Sequence, residues 1–439
     1  MHLIKKTLAL KLLLLPFALL VSAFFFFNEK DAQSKDPQEL LAKTLESRLN
    51  IAKTLALDIL ANKLPEKALV TINEKSYDVK IKYTLDEAIQ DESDGILKRY
   101  KPDYAAVFMM DADTGRTIAM SSFHRGLTDR QQKAPNWALK ATFPAASVFK
   151  VVTAAAAVDR AGISPEHKIA FNGGNYTLYK KNVMTDKVNR WTRTITLKDA
   201  FARSINTAFG RLSLESLHPE DLSNYATRFM FNQDVPADFP VEKGFAYVPD
   251  VKGFELVQVA SGFNRVNRMS PIQGAMIAAT IVNGGKMMVP HLVESLQDSK
   301  GEQIYLGQSL ERGQIIQPES AEKVKQMMEQ TVLAGTSRKA FRKILREKKF
   351  REVEMGGKTG HLTGDNPKGR TDWFVGYATD GEKKVAIAVV NVSRVKWTVK
   401  SSQVAEMLFR KYFNEVIEER AVSARDGGAN KDRRSSPLL

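Results

Sequence analysis

The sequence predicts an α/β protein in which an antiparallel sheet flanked by helices is joined to an α-rich subdomain. Two apolar runs, residues 372–377 and 385–392, have the length and residue types of neighbouring strands. Residues 148–158 form an Ala-rich apolar run, and residues 197–203 and 208–217 are also typical of helices. With 439 residues, the chain has room for one large domain and a small appendage.

A serine and a lysine three residues apart open the first of these predicted helices. Ser147 follows a proline-containing turn, and Lys150 lies on the same helix face because residues i and i+3 are neighbours. A serine hydroxyl needs an adjacent base to act as a nucleophile. Burial disfavours the charged form of a lysine, so Lys150 is a candidate base. The helix N-terminus would also direct backbone N–H groups toward an oxyanion at Ser147. An ordinary buried helix with a capping serine is the alternative.

The same S-x-x-K spacing occurs twice more in the chain, at Ser320 with Lys323 and at Ser393 with Lys396. The spacing alone therefore does not identify a nucleophile. The order of the motifs and the residues around Ser147 favour the first occurrence.

Two further motifs contain polar groups suited to a cleft. Ser204 and Asn206 lie between two predicted helices, where a hydroxyl and an amide can face a cleft or simply cap a helix. Lys358, Thr359 and Gly360 precede residues 372–377 and are expected to lie on a strand of the same antiparallel sheet. The lysine and threonine present a cation and a hydroxyl suited to a carboxylate, and the glycine allows close approach of a substrate backbone. A turn glycine at a strand end is the alternative.

Together, S-x-x-K, S-x-N and K-T-G resemble the motif set of penicillin-binding proteins and serine β-lactamases. The resemblance to the transpeptidase domain of penicillin-binding proteins covers residues 80–418. Residues 81–90 are similar to the family's opening segment, residues 105–119 to its first hairpin, and residues 269–285 to a helix that precedes the K-T-G motif. The resemblance implies the penicillin-binding-protein and β-lactamase-like transpeptidase fold.

The resemblance also implies a serine D,D-transpeptidase that cross-links peptidoglycan stem peptides and is acylated by β-lactam antibiotics. Ser147 would attack the D-Ala–D-Ala bond, Lys150 would act as its base, and Ser204 would relay a proton to the leaving amine. The residues expected to bind substrate are Asn206, Lys358, Thr359, Gly360 and His361. A D,D-carboxypeptidase, a β-lactamase-like hydrolase and a non-catalytic scaffold of a cell-wall synthesis complex are the alternatives.

His361 departs from the family pattern, which has threonine after K-T-G. The resemblance implies that the backbone N–H at this position contributes to an oxyanion hole, and a histidine keeps that donor. Its imidazole is either a titratable group added to the cleft or a larger neutral side chain at the rim.

The amino terminus predicts a membrane anchor over residues 1–30. Lys5, Lys6 and Lys11 precede an unbroken apolar run over residues 12–27. Together with residues 7–10, this run approaches the ~20 residues needed to span a bilayer. The flanking lysines predict a single-pass protein of the inner membrane with its catalytic domain on the periplasmic side. A signal peptide cleaved after Ala23 is the alternative.

The composition narrows the possible cofactors and partners. The chain has no cysteine, which excludes disulfides and cysteine-based zinc sites, and its six histidines lack ligand spacing. We therefore expect no metal and no cofactor. The net charge of +15 suits an anionic polymer or a membrane surface, and no nucleic-acid motif is present. The expected partners are stem peptides, β-lactams, the membrane, a membrane glycosyltransferase and other cell-wall synthesis proteins.

The remaining segments complete the predicted domain organisation. Residues 31–79 are expected to form a linker with an amphipathic helix over residues 36–62, too short for a second catalytic or pedestal domain. The transpeptidase domain would then span residues 80–420, ending in a helix over residues 401–419. The polar residues 421–439 are expected to be disordered.

Overall fold

The structure, a computed structural model, describes residues 37–126 and 135–432. Its helices are distributed along the chain between groups of strands. They are α1 (Pro37–Leu60), α2 (Glu87–Tyr100), α3 (Lys150–Ala155), α4 (Lys180–Val183), α5 (Leu197–Ala202), α6 (Asn206–Ser216), α7 (Pro219–Arg228), α8 (Phe254–Ala260), α9 (Pro271–Val282), α10 (Pro318–Leu333), α11 (Arg338–Phe341) and α12 (Ser401–Asp432).

The strands pair antiparallel in one five-stranded sheet, one four-stranded sheet and three short ribbons. They are β1 (Lys67–Ile72), β2 (Lys75–Tyr83), β3 (Tyr104–Asp111), β4 (Thr117–His124), β5 (Phe143–Pro144), β6 (Lys168–Phe171), β7 (Arg193–Thr196), β8 (Arg268–Met269), β9 (Lys286–Val289), β10 (Val293–Asp298), β11 (Gln303–Leu306), β12 (Leu310–Gln314), β13 (Glu354–Asp365), β14 (Lys368–Thr379) and β15 (Lys384–Ser393).

The five-stranded sheet, in the order β13-β14-β15-β3-β4, is the centre of the fold. Side chains alternate across it, because successive residues of a strand point to opposite faces. In β14, Trp373, Val375 and Tyr377 join the core cluster that includes α9, whereas Phe374 and Ala378 join the cluster that includes α12. This antiparallel sheet covered by helices on both faces confirms the predicted fold class.

The predicted strands and most of the predicted helices are confirmed. Residues 372–377 and 385–392 lie within β14 and β15, K-T-G lies within β13, and β3 and β4 form the expected hairpin. The helix predicted over residues 148–158 is instead a succession of a 3₁₀ turn, the short α3 and a π turn over Ala156–Arg160. The wider π turn lets the backbone N–H of Ala161 reach the carbonyl of Ala156 just before Gly162.

The amino-terminal part of the described chain differs from the predicted linker. The predicted helix is present as α1, and Ile51, Leu55 and Ile59 lie buried on one of its faces. Residues 67–79, however, belong to β1 and β2, which join β10 and β11 in the four-stranded sheet. The predicted helix ended at residue 62 and no strand was predicted after it, but the buried positions of β1 and β2 alternate with exposed ones, which is the pattern of a strand. The predicted boundary at residue 80 therefore falls inside β2.

Both ends of the chain extend beyond the described residues. The last helix continues from Ser401 to Asp432, so residues 421–432 are helical where disorder was predicted; no proline interrupts them. Residues 433–439 and the anchor predicted over residues 1–30 lie outside the described residues. Within residues 37–126 and 135–432, no helix combines the length and the apolar character needed to cross a membrane.

Candidate active site

Ser147 lies in a tight turn between β5 and α3. Ala146, which precedes it, has a φ angle of 48°, a left-handed value that residues other than glycine rarely adopt. Gly262 packs behind this turn, and a Cβ atom at Gly262 would lie 1.9 Å from the carbonyl oxygen of Ala146. The turn leaves the Ser147 side chain partly exposed, while Val148 and Phe149 are buried. The serine side chain is thus partly exposed on a buried support.

Lys150 is fully buried, and its amine lies within hydrogen-bond distance of three oxygen atoms. Nζ is 2.9 Å from Oγ of Ser147, 2.7 Å from Oδ1 of Asn206 and 2.5 Å from the carbonyl oxygen of Ser261. The amide and carbonyl oxygens can only accept hydrogen bonds. A neutral amine has two N–H donors and one lone pair, so these two acceptors leave the lone pair directed at Ser147. This arrangement suits a neutral Lys150 that takes the proton of the serine.

The electrostatic environment favours that neutral form. Burial lowers the pKa of Lys150 well below its ordinary value of 10.5, and the nearby charge of Lys358 lowers this pKa further. Burial also lowers the pKa of Lys358, to about 7. The amines lie 5.6 and 5.5 Å from the ring centroids of Phe209 and Phe201, respectively, so aromatic side chains line the cluster. Two amines that share a buried site do not both remain charged at neutral pH.

The turn between α5 and α6 contributes Ser204 and Asn206. Ser204 has a φ angle of 55°, and its Oγ accepts a hydrogen bond of 2.9 Å from Nζ of Lys358. Asn206 uses Oδ1 to accept from Lys150 and uses Nδ2 to donate to the carbonyl oxygen of Tyr176 at 3.0 Å. Both ends of the Asn206 amide are therefore engaged within the protein, where the sequence predicted contacts with substrate. In this structure Asn206 orients the amine of Lys150.

K-T-G lies on β13, the edge strand of the central sheet. Lys358 is fully buried and points toward Ser204, while Oγ1 of Thr359 lies 2.6 Å from Oγ1 of Thr336. A Cβ atom at Gly360 would meet Cγ2 of Val148 at 3.2 Å, which shows how closely β13 packs against the Ser147 turn. The absence of a side chain at Gly360 lets this strand form one wall beside the serine.

His361 lies half-exposed at the end of the motif, and its imidazole turns toward the neighbouring strand. Nε2 pairs with Oδ1 of the buried Asp372, whose other oxygen, Oδ2, accepts the backbone N–H of Ser401 at 2.7 Å. The ring of Trp397 meets the imidazole edge-on at a centroid distance of 6.3 Å. Because Asp372 is the register partner of His361 on β14, this pairing directs the ring over the sheet rather than out from its free edge.

The structure brings the three motifs into one site, but it also adds groups that the sequence did not reveal. These groups are the Ser261 carbonyl, the Thr336 hydroxyl and the Asp372 carboxylate. No local motif marked them, because each reaches the site from outside the three motifs, through a tertiary contact or through strand pairing. Among the described residues, no group of three or more histidine, cysteine, aspartate or glutamate side chains could hold a metal ion.

A serine hydroxyl beside a buried lysine amine defines the general class of serine acyl-transferring sites. A family model described as the penicillin binding protein transpeptidase domain matches residues 105–414, and the chain belongs to this family.

Individual relatives agree with this assignment. The chain is 25% identical over 338 residues to peptidoglycan D,D-transpeptidase PbpA of Mycolicibacterium smegmatis, covering 69% of this chain and 64% of that protein. It is 25% identical over 295 residues to stage V sporulation protein D of Bacillus subtilis, covering 64% and 44%. The chain thus matches less than two thirds of the length of these relatives.

Solved structures show the same fold. The crystal structure of PBPA from Mycobacterium tuberculosis superposes with a TM-score of 0.63 at 22% identity, covering 76% of this chain and 82% of that one. Its imipenem acyl-enzyme complex gives a TM-score of 0.62 at 23% identity, covering 76% and 80%.

Proposed function

We propose that this protein is a serine D,D-transpeptidase that cross-links peptidoglycan stem peptides, and that β-lactams acylate the same serine. The observation that carries the proposal is the arrangement around Lys150. Its two N–H donors are taken by Asn206 and Ser261, and its remaining position faces Oγ of Ser147 at 2.9 Å. A related protein of the same fold has been captured as an imipenem acyl-enzyme complex.

In the first half of the proposed reaction, Oγ of Ser147 attacks the carbonyl carbon of the penultimate D-Ala while its proton moves to Nζ of Lys150. The tetrahedral intermediate then breaks the C–N bond to the terminal D-Ala. The leaving amine takes up the proton and departs, and the peptide remains as an ester on Ser147. Ser204, held by Lys358, is the hydroxyl proposed to relay that proton.

In the second half, the amine of a neighbouring stem peptide attacks the ester carbonyl carbon and gives up a proton to Nζ of Lys150. The ester C–O bond then breaks, the proton passes to Oγ of Ser147, and the cross-linking amide is released with the free serine. Strand β13 is an edge strand, so its outer backbone groups can pair with an extended peptide. We propose that Lys358, Thr359, Gly360 and the backbone of His361 bind the donor peptide along this edge. The side chain of Lys358 is buried beneath this edge, so its positive charge would act on the bound peptide from the protein interior.

We propose that residues 1–30 anchor the chain in the bacterial inner membrane with residues 37–432 on the extracytoplasmic side. The support is the apolar run over residues 12–27 that follows three lysines. This placement would bring the active site to the peptidoglycan and near a membrane glycosyltransferase and other cell-wall synthesis proteins, the partners we propose.

Incubation with a fluorescent penicillin followed by intact-mass analysis tests the acyl-enzyme. We expect one covalent adduct in the wild type and in the controls Ser320→Ala and Ser393→Ala, and none in Ser147→Ala. An adduct that persists in Ser147→Ala would contradict the proposal. Incubation with a soluble stem pentapeptide and an amine acceptor then distinguishes the activities, because a cross-linked product indicates transpeptidation and a hydrolysed peptide indicates carboxypeptidation.

A further inference from the structure

A cleft of about 440 Å³ opens between the β6–β7 hairpin and the turn that joins α5 to α6. Ile205, which lies between the two polar residues of S-x-N, forms part of its wall. Asn175, another wall residue, accepts the backbone N–H of Asn206 through its carbonyl oxygen at 3.0 Å. The cleft therefore lies directly behind the turn that orients Lys150, and none of the proposed catalytic side chains lines it.

Three cations line this cleft, and we call it the cationic cleft. Lys168 comes from β6, Arg193 from β7 and Arg203 from the end of α5, and all three are exposed. The ion pairs found among residues 37–126 and 135–432 include none of these three side chains. Asp199 is the acidic residue in the wall, and its Oδ1 accepts from Nε2 of Gln330 at 2.9 Å. The cleft thus presents three cations against the single carboxylate of Asp199, which is an excess of positive charge.

Two further features indicate the kind of ligand that fits. The guanidinium of Arg193 lies 4.5 Å from the ring centroid of the buried Phe171 and donates to the carbonyl oxygen of Gly173, so it is held in place. An oriented guanidinium suits a carboxylate, which it can bind through two parallel hydrogen bonds. Oδ1 of Asn175 is buried without a hydrogen-bond partner in the described structure and can accept an N–H group.

We propose that the cationic cleft is a subsite for a peptide that carries free carboxylates. Arg193 and Arg203 would bind the carboxylates, and Asn175 would accept a peptide N–H. A phosphate offers the same negative charge but carries no N–H group for Asn175, so we assign the cleft to a peptide. The inference rests on the proposed function, because stem peptides are the carboxylate-bearing peptides that this active site would meet.

The test compares two soluble stem pentapeptides that differ only in whether an internal side carboxylate is free or amidated. Binding is measured by calorimetry in the Ser147→Ala protein, so that no turnover is required. The cleft variants are Arg193→Gln, Arg203→Gln and their combination. Arg346→Gln, which changes an exposed arginine outside the cleft, is the matched control.

We expect the Ser147→Ala protein to bind the acidic peptide more tightly than the amidated one. In the double variant the Kd for the acidic peptide should rise by roughly 10-fold, the size expected for the loss of charge-assisted hydrogen bonds near a surface. The Kd for the amidated peptide and the rate of penicillin acylation in the Ser147 protein should stay unchanged, and Arg346→Gln should behave as its parent.

The assignment would be overturned if the double variant lost the same affinity for both peptides, or if it still preferred the acidic peptide as strongly as its parent does. Binding of inorganic phosphate is measured in the same proteins. If phosphate binds the parent but not the double variant, and the acidic and amidated peptides bind with equal affinity, the cleft is a phosphate site instead. Penicillin labelling is recorded separately. A normal adduct with no carboxylate preference rejects only the cleft, whereas a missing adduct rejects the proposed function.

Discussion

Replacement of Lys150 tests the central chemical argument, since the role of base depends on an amine that can lose its proton. Lys150→Arg introduces a cation that does not deprotonate, and Lys150→Met removes the amine while retaining much of the length and apolar character. Neither variant can accept the Ser147 proton across the 2.9 Å contact. We expect the acylation rate to fall by about 10² to 10⁴-fold in both, the range associated with loss of a positioned general base.

The structure also predicts how each variant affects stability. Lys150→Met leaves Oδ1 of Asn206 and the carbonyl oxygen of Ser261 without their donor, at a cost of about 1–3 kcal/mol for each buried group that finds no new partner. Removal of a buried amine offsets part of this cost. Lys150→Arg must fit a larger head group into a fully buried position, so it should lower stability through overpacking.

Stopped-flow measurement of penicillin acylation, with thermal unfolding recorded for each protein, separates loss of the base from loss of the fold. The wild-type rate should increase with pH through the lowered pKa of Lys150 and reach a plateau once the amine is neutral. A folded Lys150→Met protein that acylates at a near-wild-type rate would refute the reasoning, because Lys150 would then be only structural.

Three further predictions follow from the same structure. In the wild type, the unfolding free energy should rise between pH 7 and 10, because Lys358 binds more protons in the unfolded chain (pKa 10.5) than in the folded one (pKa about 7). Lys358→Met should weaken this rise, measured by urea denaturation. An equal rise in both proteins would contradict the prediction. His361→Thr should leave the rate of penicillin acylation equal or faster from pH 5 to 9, and a pH-dependent step found only in the wild type would count against this. The same change should lower the unfolding free energy by only about 0–1 kcal/mol, because the half-exposed imidazole pairs with Asp372. The mature chain should keep residues 1–27 and stay with membranes after a high-salt wash, whereas N-terminal sequencing that begins at Phe24 would indicate cleavage.

The strands and the motif residues could be predicted because their signals are local. An apolar run with strand-like composition marks β14 and β15, and the order of the three motifs marks Ser147, Lys150 and their partners. The same local reasoning was available for residues 67–79, where buried Val70, Ile72 and Val79 alternate with more exposed neighbours. The prediction of a linker without strands overlooked this change of period from 3.6 in α1 to 2 in β1 and β2.

The partners of the motif residues could not be predicted in this way. The carbonyl oxygen of Ser261 reaches Lys150 across 111 residues, and the hydroxyl of Thr336 reaches Thr359 across 23. Every residue has a backbone carbonyl, so the residue type at position 261 does not indicate this contact. A single threonine is too common to indicate a site. The pairing of His361 with Asp372 depends on strand register, which fixes the two opposite each other only once β13 and β14 have paired.

These cross-contacts explain why the three motifs work as a unit. Lys150 of the first motif is held by Asn206 of the second, and Lys358 of the third is held by Ser204 of the second. Each buried amine therefore depends on an oxygen from another segment. Because groups that share a buried network couple energetically, changes at Asn206 should alter acylation through Lys150 rather than independently of it. The S-x-N turn, with its left-handed Ser204, thus connects the base to the K-T-G strand and sets the geometry of both.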